Sequence, residues 1–232
     1  DGGVKCWGDN SYGQLGNTQP GNSLVPVEVI GLNSPIGAIA AGSLHTCALT
    51  NDGGLMCWGY NLYGQLGTGT NASSPWPEYA SGLVVDVQAV AAGAFHTCAL
   101  TSPGHAKCWG YNQYGQLGDG TREDRSTQVD VLGLTGGVQA LSAGAFHTCA
   151  LTAAGVKCWG DDHVDLRGLA TGIQAVSAGT NCSCALTAAG ALKCWGNNAY
   201  GQLGLDPGWA PVDVLDSPPP AEPALYLPAL GR

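Results

Sequence analysis

The side chains best equipped for chemistry in this chain are its ten cysteines and five histidines. Eight of the cysteines fall into two recurring settings. Cys47, Cys98 and Cys149 sit in His-Thr-Cys-Ala-Leu, and Cys184 sits in Cys-Ser-Cys-Ala-Leu. Cys57, Cys108, Cys158 and Cys194 each open Cys-Trp-Gly. The turn chemistry of Asn51-Asp52-Gly53-Gly54, Ser102-Pro103-Gly104 and Ala153-Ala154-Gly155 lies between the two settings, with glycine supplying positive φ. Each cysteine pair therefore spans a β-hairpin. In the hairpin centred on Asp52, pairing Cys47 with Cys57 sets Leu49 opposite Leu55 and Thr46 opposite Trp58. Two cysteines directly opposed in this way have Cβ atoms close enough to bond. Cys149 and Cys158 keep the opposition although their turn is one residue shorter. Zinc competes, because each hairpin offers a His-x-Cys and a distant Cys. Zinc normally takes four ligands with Cys-x2-4-Cys spacing, and three ligands with two of them opposed fit that poorly. Buried free thiols are the third reading. The expectation is four disulfides, each worth ~2–3 kcal/mol, with no metal and no cofactor. Cys6 and Cys182 are left over as unpaired or inter-chain cysteines. Cys182 stands where the other copies carry histidine.

His45, His96 and His147 would need a nucleophile or carboxylate at a fixed offset to serve as general bases, and none recurs. They read as core histidines whose ring nitrogens bond neighbouring backbone. No Ser-His-Asp, paired-carboxylate, phosphate-loop or dinucleotide pattern appears at consistent spacing, so the chain reads as non-enzymatic. Its formal net charge of −9, with eight Lys and Arg and no run of them, argues against a nucleic-acid surface. No apolar stretch of ~18 residues is present to span a membrane. Disulfides in this number imply an oxidising compartment: extracellular, cell-surface or periplasmic. No signal peptide is expected at the start, because Asp1-Gly2-Gly3-Val4-Lys5-Cys6 reads as the inside of a strand. On that reading the chain is processed or a piece of something longer.

The elements that hold these residues repeat. Cys-Trp-Gly occurs at Trp7, Trp58, Trp109, Trp159 and Trp195, spaced 51, 51, 50 and 36 residues apart. Gly-Gln-Leu-Gly follows at Gly13, Gly64, Gly115 and Gly201, and is missing after Trp159, where Asp-Asp-His-Val-Asp-Leu-Arg stands. Apolar alternation puts His96, Cys98 and Leu100 on one strand face and Thr97, Ala99 and Thr101 on the other. A third strand, such as Val129-Asp-Val-Leu, precedes the hairpin, and a fourth is Val87-Gln-Ala-Val or Val138-Gln-Ala-Leu. Four short strands per ~40–50 residues mark a β-propeller blade. The tryptophans and the tyrosines before Gly-Gln-Leu-Gly, Tyr12, Tyr63, Tyr114 and Tyr200, read as structural packing.

Gly-x-x-His-Thr-x-Ala-Leu, Trp-Gly-x-Asn and Gly-Gln-Leu-Gly together resemble the RCC1-type repeat, named for the regulator of chromosome condensation. The resemblance covers nearly the whole chain up to about Leu215, and the doubled cysteines resemble the secreted bacterial variant. It implies an all-β propeller with four-stranded blades. Only about four and a half blades are present, which points to an incomplete ring or arc over 1–216. A Pro-rich tail at 217–232 follows, of polyproline character. The exchange-factor role of the family's namesake on chromatin fits poorly with the acidity and the cysteines. A secreted relative that inhibits a β-lactamase supports protein binding as a mode.

Residues outside the repeat pattern are the better recognition candidates. Trp76 and Tyr79 lie in a Pro-rich loop, where aromatics make good anchors. Arg122 and Asp124 belong to a charged loop suited to polar contacts. Asn71-Ala-Ser matches an N-glycosylation acceptor. The expected function is an extracellular protein-binding or structural scaffold, able to serve as a subunit of a larger surface assembly. The alternative is a carbohydrate-binding propeller with a glycan as its ligand.

Overall fold

Period-two patterning over six-residue runs predicts strands, and every described element is one. The computed structural model describes residues 3–84, 86–161, 172–203 and the backbone of 212–213. The stretch that replaces Gly-Gln-Leu-Gly after Asp161, and the Pro-rich tail, lie outside the described residues. β1 (Lys5–Gly8) and β2 (Ser23–Glu28) form a two-stranded sheet. The second sheet holds β3 (Ile36–Ala41), β4 (His45–Thr50), β5 (Leu55–Gly59) and β6 (Ser74–Tyr79). The third holds β7 (Val87–Ala92), β8 (His96–Thr101), β9 (His105–Gly110) and β10 (Arg125–Thr135). The fourth shows β11 (Val138–Ala143), β12 (His147–Thr152) and β13 (Gly155–Gly160). The fifth holds β14 (Ile173–Ala178), β15 (Cys182–Thr187), β16 (Leu192–Gly196) and β17 (Val212–Asp213). Each is an antiparallel meander in chain order, which is a propeller blade, and the blades form an open arc.

One strand belongs elsewhere than its sequence position suggests. The run through Val25 and Val27 precedes the second hairpin in the chain, yet β2 pairs with β1 and completes the blade behind it. β6 does the same on β5, β10 on β9 and β17 on β16. The Gly-Gln-Leu-Gly loop returns the chain alongside the Cys-Trp-Gly strand it has just left. That placement explains Pro26, Pro75 and Pro77. On an outermost strand a missing N–H removes no ladder bond.

The hairpin register agrees with the cysteine argument. Cys47 faces Cys57, with Leu49 opposite Leu55 and Thr46 opposite Trp58. Cys98 faces Cys108, Cys149 faces Cys158 and Cys184 faces Cys194. All four pairs are disulfides, with Cα–Cα separations of 4.0–4.1 Å. Their sulfurs are therefore not available as zinc thiolates. Cys6 and Cys182 are free and half-buried.

β4 and β8 are buried at all six positions, because a neighbouring sheet covers each face. One backbone oxygen organises each junction. Gln65 O accepts from Thr97 Oγ1 at 2.8 Å and from Trp109 Nε1 at 2.9 Å. Gln14 O serves Thr46 and Trp58, both at 2.9 Å. Gln116 O serves Thr148 and Trp159, both at 2.9 Å. The final glycine of each Gly-Gln-Leu-Gly is forced by the same contact. A Cβ on Gly67 or Gly118 would lie 2.7 Å from the tryptophan Nε1, and both glycines have positive φ.

The histidines extend this relay to the opposite face. His45 Nε2 lies 2.8 Å from Thr97 Oγ1, and His96 Nε2 lies 2.9 Å from Thr148 Oγ1. Each threonine gives its single proton to the glutamine carbonyl, so the histidine must donate. The rings are thus neutral Nε2–H tautomers bonded to a neighbouring side chain, not to backbone as the sequence suggested. Nδ1 of His45 and of His96 has no partner among the described residues. Burial pulls His45 down to about 4. Burial, with repulsion from His45 and His147, pulls His96 down to about 3. His147 is lowered by burial too, against the opposing charge of Asp161.

Two outcomes follow for stability. Unfolded histidine titrates near 6.5, so below that pH the unfolded chain binds protons that the folded chain refuses. The unfolding midpoint should be level above about pH 7 and fall between 6.5 and about 4. Denaturant titrations across pH, followed by tryptophan fluorescence, would show it. His96→Gln should make the segment above pH 5, where carboxylates contribute little, shallower, with His45 and His147 supplying the slope that remains. Thr97→Val strands both His45 and one lone pair of Gln65, and should cost about 2 kcal/mol. Thr46 has no histidine donor, so Thr46→Val should cost about 1 kcal/mol. Equal losses at the two sites would remove the histidine from the relay.

Candidate functional site

Three repeat positions that face away from the relay converge on one surface. They are the residue after Trp-Gly (Tyr60, Tyr111), the tyrosine before Gly-Gln-Leu-Gly (Tyr12, Tyr63, Tyr114) and the residue before histidine (Phe95, Phe146). Backbone bonds fix their spacing. Tyr60 N donates to Leu44 O, and Tyr111 N donates to Phe95 O, each at 2.9 Å. Tyr12 meets Tyr60 with ring centroids 4.7 Å apart, and Tyr63 meets Tyr111 at 4.8 Å. Phe95 packs on Tyr63 at 5.6 Å, and Phe146 packs on Tyr114 at 5.0 Å. Tyr60 also reaches Tyr63, and Tyr111 reaches Tyr114, at 6.0 and 6.2 Å. The seven rings form one unbroken ladder across three blade junctions, mostly edge to face, the geometry aromatic quadrupoles favour.

The ladder is only half covered. Tyr12 is 44% and Tyr114 41% exposed, and Tyr60, Tyr63, Phe95, Tyr111 and Phe146 are half-buried. Desolvation by neighbouring rings, then repulsion from Tyr63 and Tyr12, raises the Tyr60 hydroxyl above the ordinary phenol range. Desolvation, then repulsion from Tyr114, Tyr63 and Asp124, does the same at Tyr111. The Tyr60 and Tyr111 phenols therefore stay neutral at physiological pH and act as hydrogen-bonding tips on apolar bodies. Asp124 stands near one flank, and Asp161 takes the Tyr60 and Tyr111 position in the fourth repeat, its N–H on Phe146 O at 2.9 Å. An apolar surface with an acidic margin can dock a partner. It presents no nucleophile–base pair poised for turnover.

The sequence candidates sit elsewhere or do other work. Trp76 and Tyr79 lie on the outer strand β6, not in a loop, and are 43% and 45% exposed. Asp124 caps its own loop, accepting from Asn112 N at 2.8 Å. Asn22 and Ser73 do the same for Asn10 and Asn61 in the earlier repeats. Arg122 is exposed, and its neighbour Arg125 is held by Asp119 at 3.1 Å and Glu123 at 3.2 Å. Asn71 is exposed in the loop before β6. In sequence the ladder is hidden, because a recurrent tyrosine reads as packing. Phe95 and Phe146 beside tyrosines in the same repeat are the signal that could have found it. Tyr200, the fourth tyrosine of that series, is 95% exposed.

Known proteins share the repeat and the fold. Two family profiles described as the regulator of chromosome condensation (RCC1) repeat match the chain. One covers residues 1–49, 52–100 and 104–151, the other 38–65, 87–116 and 173–202. The ultraviolet-B receptor UVR8 of Arabidopsis thaliana is 36% identical over 158 residues, which are 67% of this chain and 36% of that protein. Human WBSCR16 superposes with a TM-score of 0.80 at 24% identity, covering 91% of this chain and 62% of the other. Prp20p of Saccharomyces cerevisiae, studied for binding to Gsp1p and histones, gives 0.77 at 24%, covering 90% and 58%. The chain therefore spans about a third of UVR8 and about three-fifths of the two solved propellers. With profiles covering more than half its length, this chain belongs to the RCC1 repeat family.

Proposed function

We propose that this chain is an extracellular, non-enzymatic binding scaffold that docks a protein on its aromatic ladder. The seven contiguous half-exposed rings carry the reading. Large rigid aromatics give much contact area for little lost side-chain entropy, which is why they dominate interface hot spots. The flanking acids and the net charge of −9 favour a partner patch that is apolar at its centre and basic at its rim. Prp20p offers a family precedent for protein partners, since its binding to Gsp1p and histones has been examined. Four disulfides fit a non-reducing environment. Membership of a larger surface assembly is part of the proposal.

Glycan binding is the second reading, and exposed Trp76 and Tyr79 on β6 favour it. Protein and glycan binding separate in one comparison. A Tyr63→Ala/Tyr111→Ala variant should keep its thermal midpoint within a few degrees. It should bind a protein captured by the parent chain at least about 30-fold more weakly, as loss of a hot spot requires. Unchanged affinity sinks the ladder as the docking face. Glycan-array binding lost on Trp76→Ala would move recognition to β6. The compartment has its own check: native alkylation should reach two cysteines, Cys6 and Cys182, and reduction should expose all ten.

A further inference from the structure

Three junctions between neighbouring blades place a glutamine carbonyl where a tryptophan indole and a threonine hydroxyl converge. The fourth junction, between the sheets of β12 and β15, has no such glutamine. In sequence, Val164-Asp165-Leu166-Arg167-Gly168-Leu169 follows Val129-Asp130-Val131-Leu132-Gly133-Leu134 at a constant distance. The residues lost from the short repeat are therefore those that would carry Gly-Gln-Leu-Gly. The donors remain. Trp195 is 0% exposed, yet its Nε1 has no hydrogen-bond partner among the described residues. Ser183, 1% exposed, holds the threonine position, with Oγ 2.7 Å from His147 Nε2. Both line a cavity of about 20 Å³ that Asp161 and Cys182 also border.

We propose that this cavity is a slot for the amide carbonyl oxygen of a protein partner, which takes the place of the missing glutamine carbonyl. The proposal rests on the reading of the aromatic ladder as a protein-docking face. Its converging donors are those that bind a carbonyl at the other three junctions. The volume suits one oxygen atom or one water and no larger group. Asp161 on the wall disfavours a carboxylate and leaves the neutral amide as the matching acceptor. The slot also adjoins the ladder, because Phe146, its last ring, directly precedes His147, and Asp161 N bonds Phe146 O. A polypeptide lying across the rings brings its own carbonyls to this end.

The test uses the intact chain and N-methylacetamide as the probe. Indole N–H signals are followed by proton–nitrogen correlation spectra, and Trp195→Phe identifies the Trp195 signal by its loss. N-methylacetamide should move the Trp195 signal downfield in a saturable manner. The signals of Trp58, Trp109 and Trp159, already bonded to carbonyls, should stay still. Ser183→Ala should weaken that titration about tenfold, the loss of one hydrogen bond. A Trp195 signal that does not move overturns the slot, whether its position shows an acceptor from the chain itself or a cross-peak shows a held water. The titration needs no partner, so it separates the two readings. If it fails while ladder variants still abolish partner binding, only the slot falls. If it succeeds while ladder variants bind normally, the ladder reading falls.

Discussion

One backbone carbonyl per junction holds the arc together. A blade is a meander that can bury one face of its hairpin on the sheet behind and the other on the sheet ahead. Apolar contact alone would let blades slide, since packing of small strands is tolerant of sub-ångström shifts. The glutamine oxygen removes that freedom. It is buried, it must be satisfied, and its two donors sit on adjacent strands of the next blade, Thr97 and Trp109 at the second junction. Losing either donor leaves a buried polar group short of a partner, so the position is fixed more sharply than burial would fix it. The histidine of the blade behind, His45 at that junction, donates to the same threonine, so each junction is held at a second point.

The disulfides do a different job. Each links two strands that are already neighbours in sequence and in the sheet, so it stabilises a hairpin and not the arrangement of hairpins. Within one blade, the chain is tied covalently at the centre and by hydrogen bonds at the faces. That division leaves the outer strands as the least constrained elements. There proline is admitted, and β6 exposes Trp76 and Tyr79. It also accounts for Trp7. With a hairpin partner for β1 absent among the described residues, Trp7 is 63% exposed, while Trp58, Trp109 and Trp195 are fully buried.

Much of this was legible in the residues. The turn chemistry around Asp52 fixed the hairpin, and the hairpin fixed the cysteine pairing, because opposition across a strand pair follows from counting. The open arc followed from counting as well. Three things were not legible. The outer strand's blade could not be assigned, because pairing across a long loop depends on the path of that loop. The histidine partner could not be named, because it lies 52 residues away on another sheet. The ladder was hidden because period and packing explain a recurrent tyrosine equally well until its exposure is known. Tyr63 and Trp58 recur with the same regularity, and only the structure shows that one is half-open and the other sealed.

Repetition also gives a way to recognise where function departs from architecture. A repeated residue is constrained by every copy of the same junction, so a change in one copy shows as an unfilled role. The fourth repeat keeps its disulfide and its tryptophan, and therefore keeps its blade. It gives up only the loop whose glutamine closed the junction. Cys182 for histidine and Ser183 for threonine are altered around that same junction. Independent loss of stability would scatter such changes over the arc. Three departures gathered about one buried indole, at the end of the aromatic surface, are what a junction released from bracing and turned toward recognition would contain.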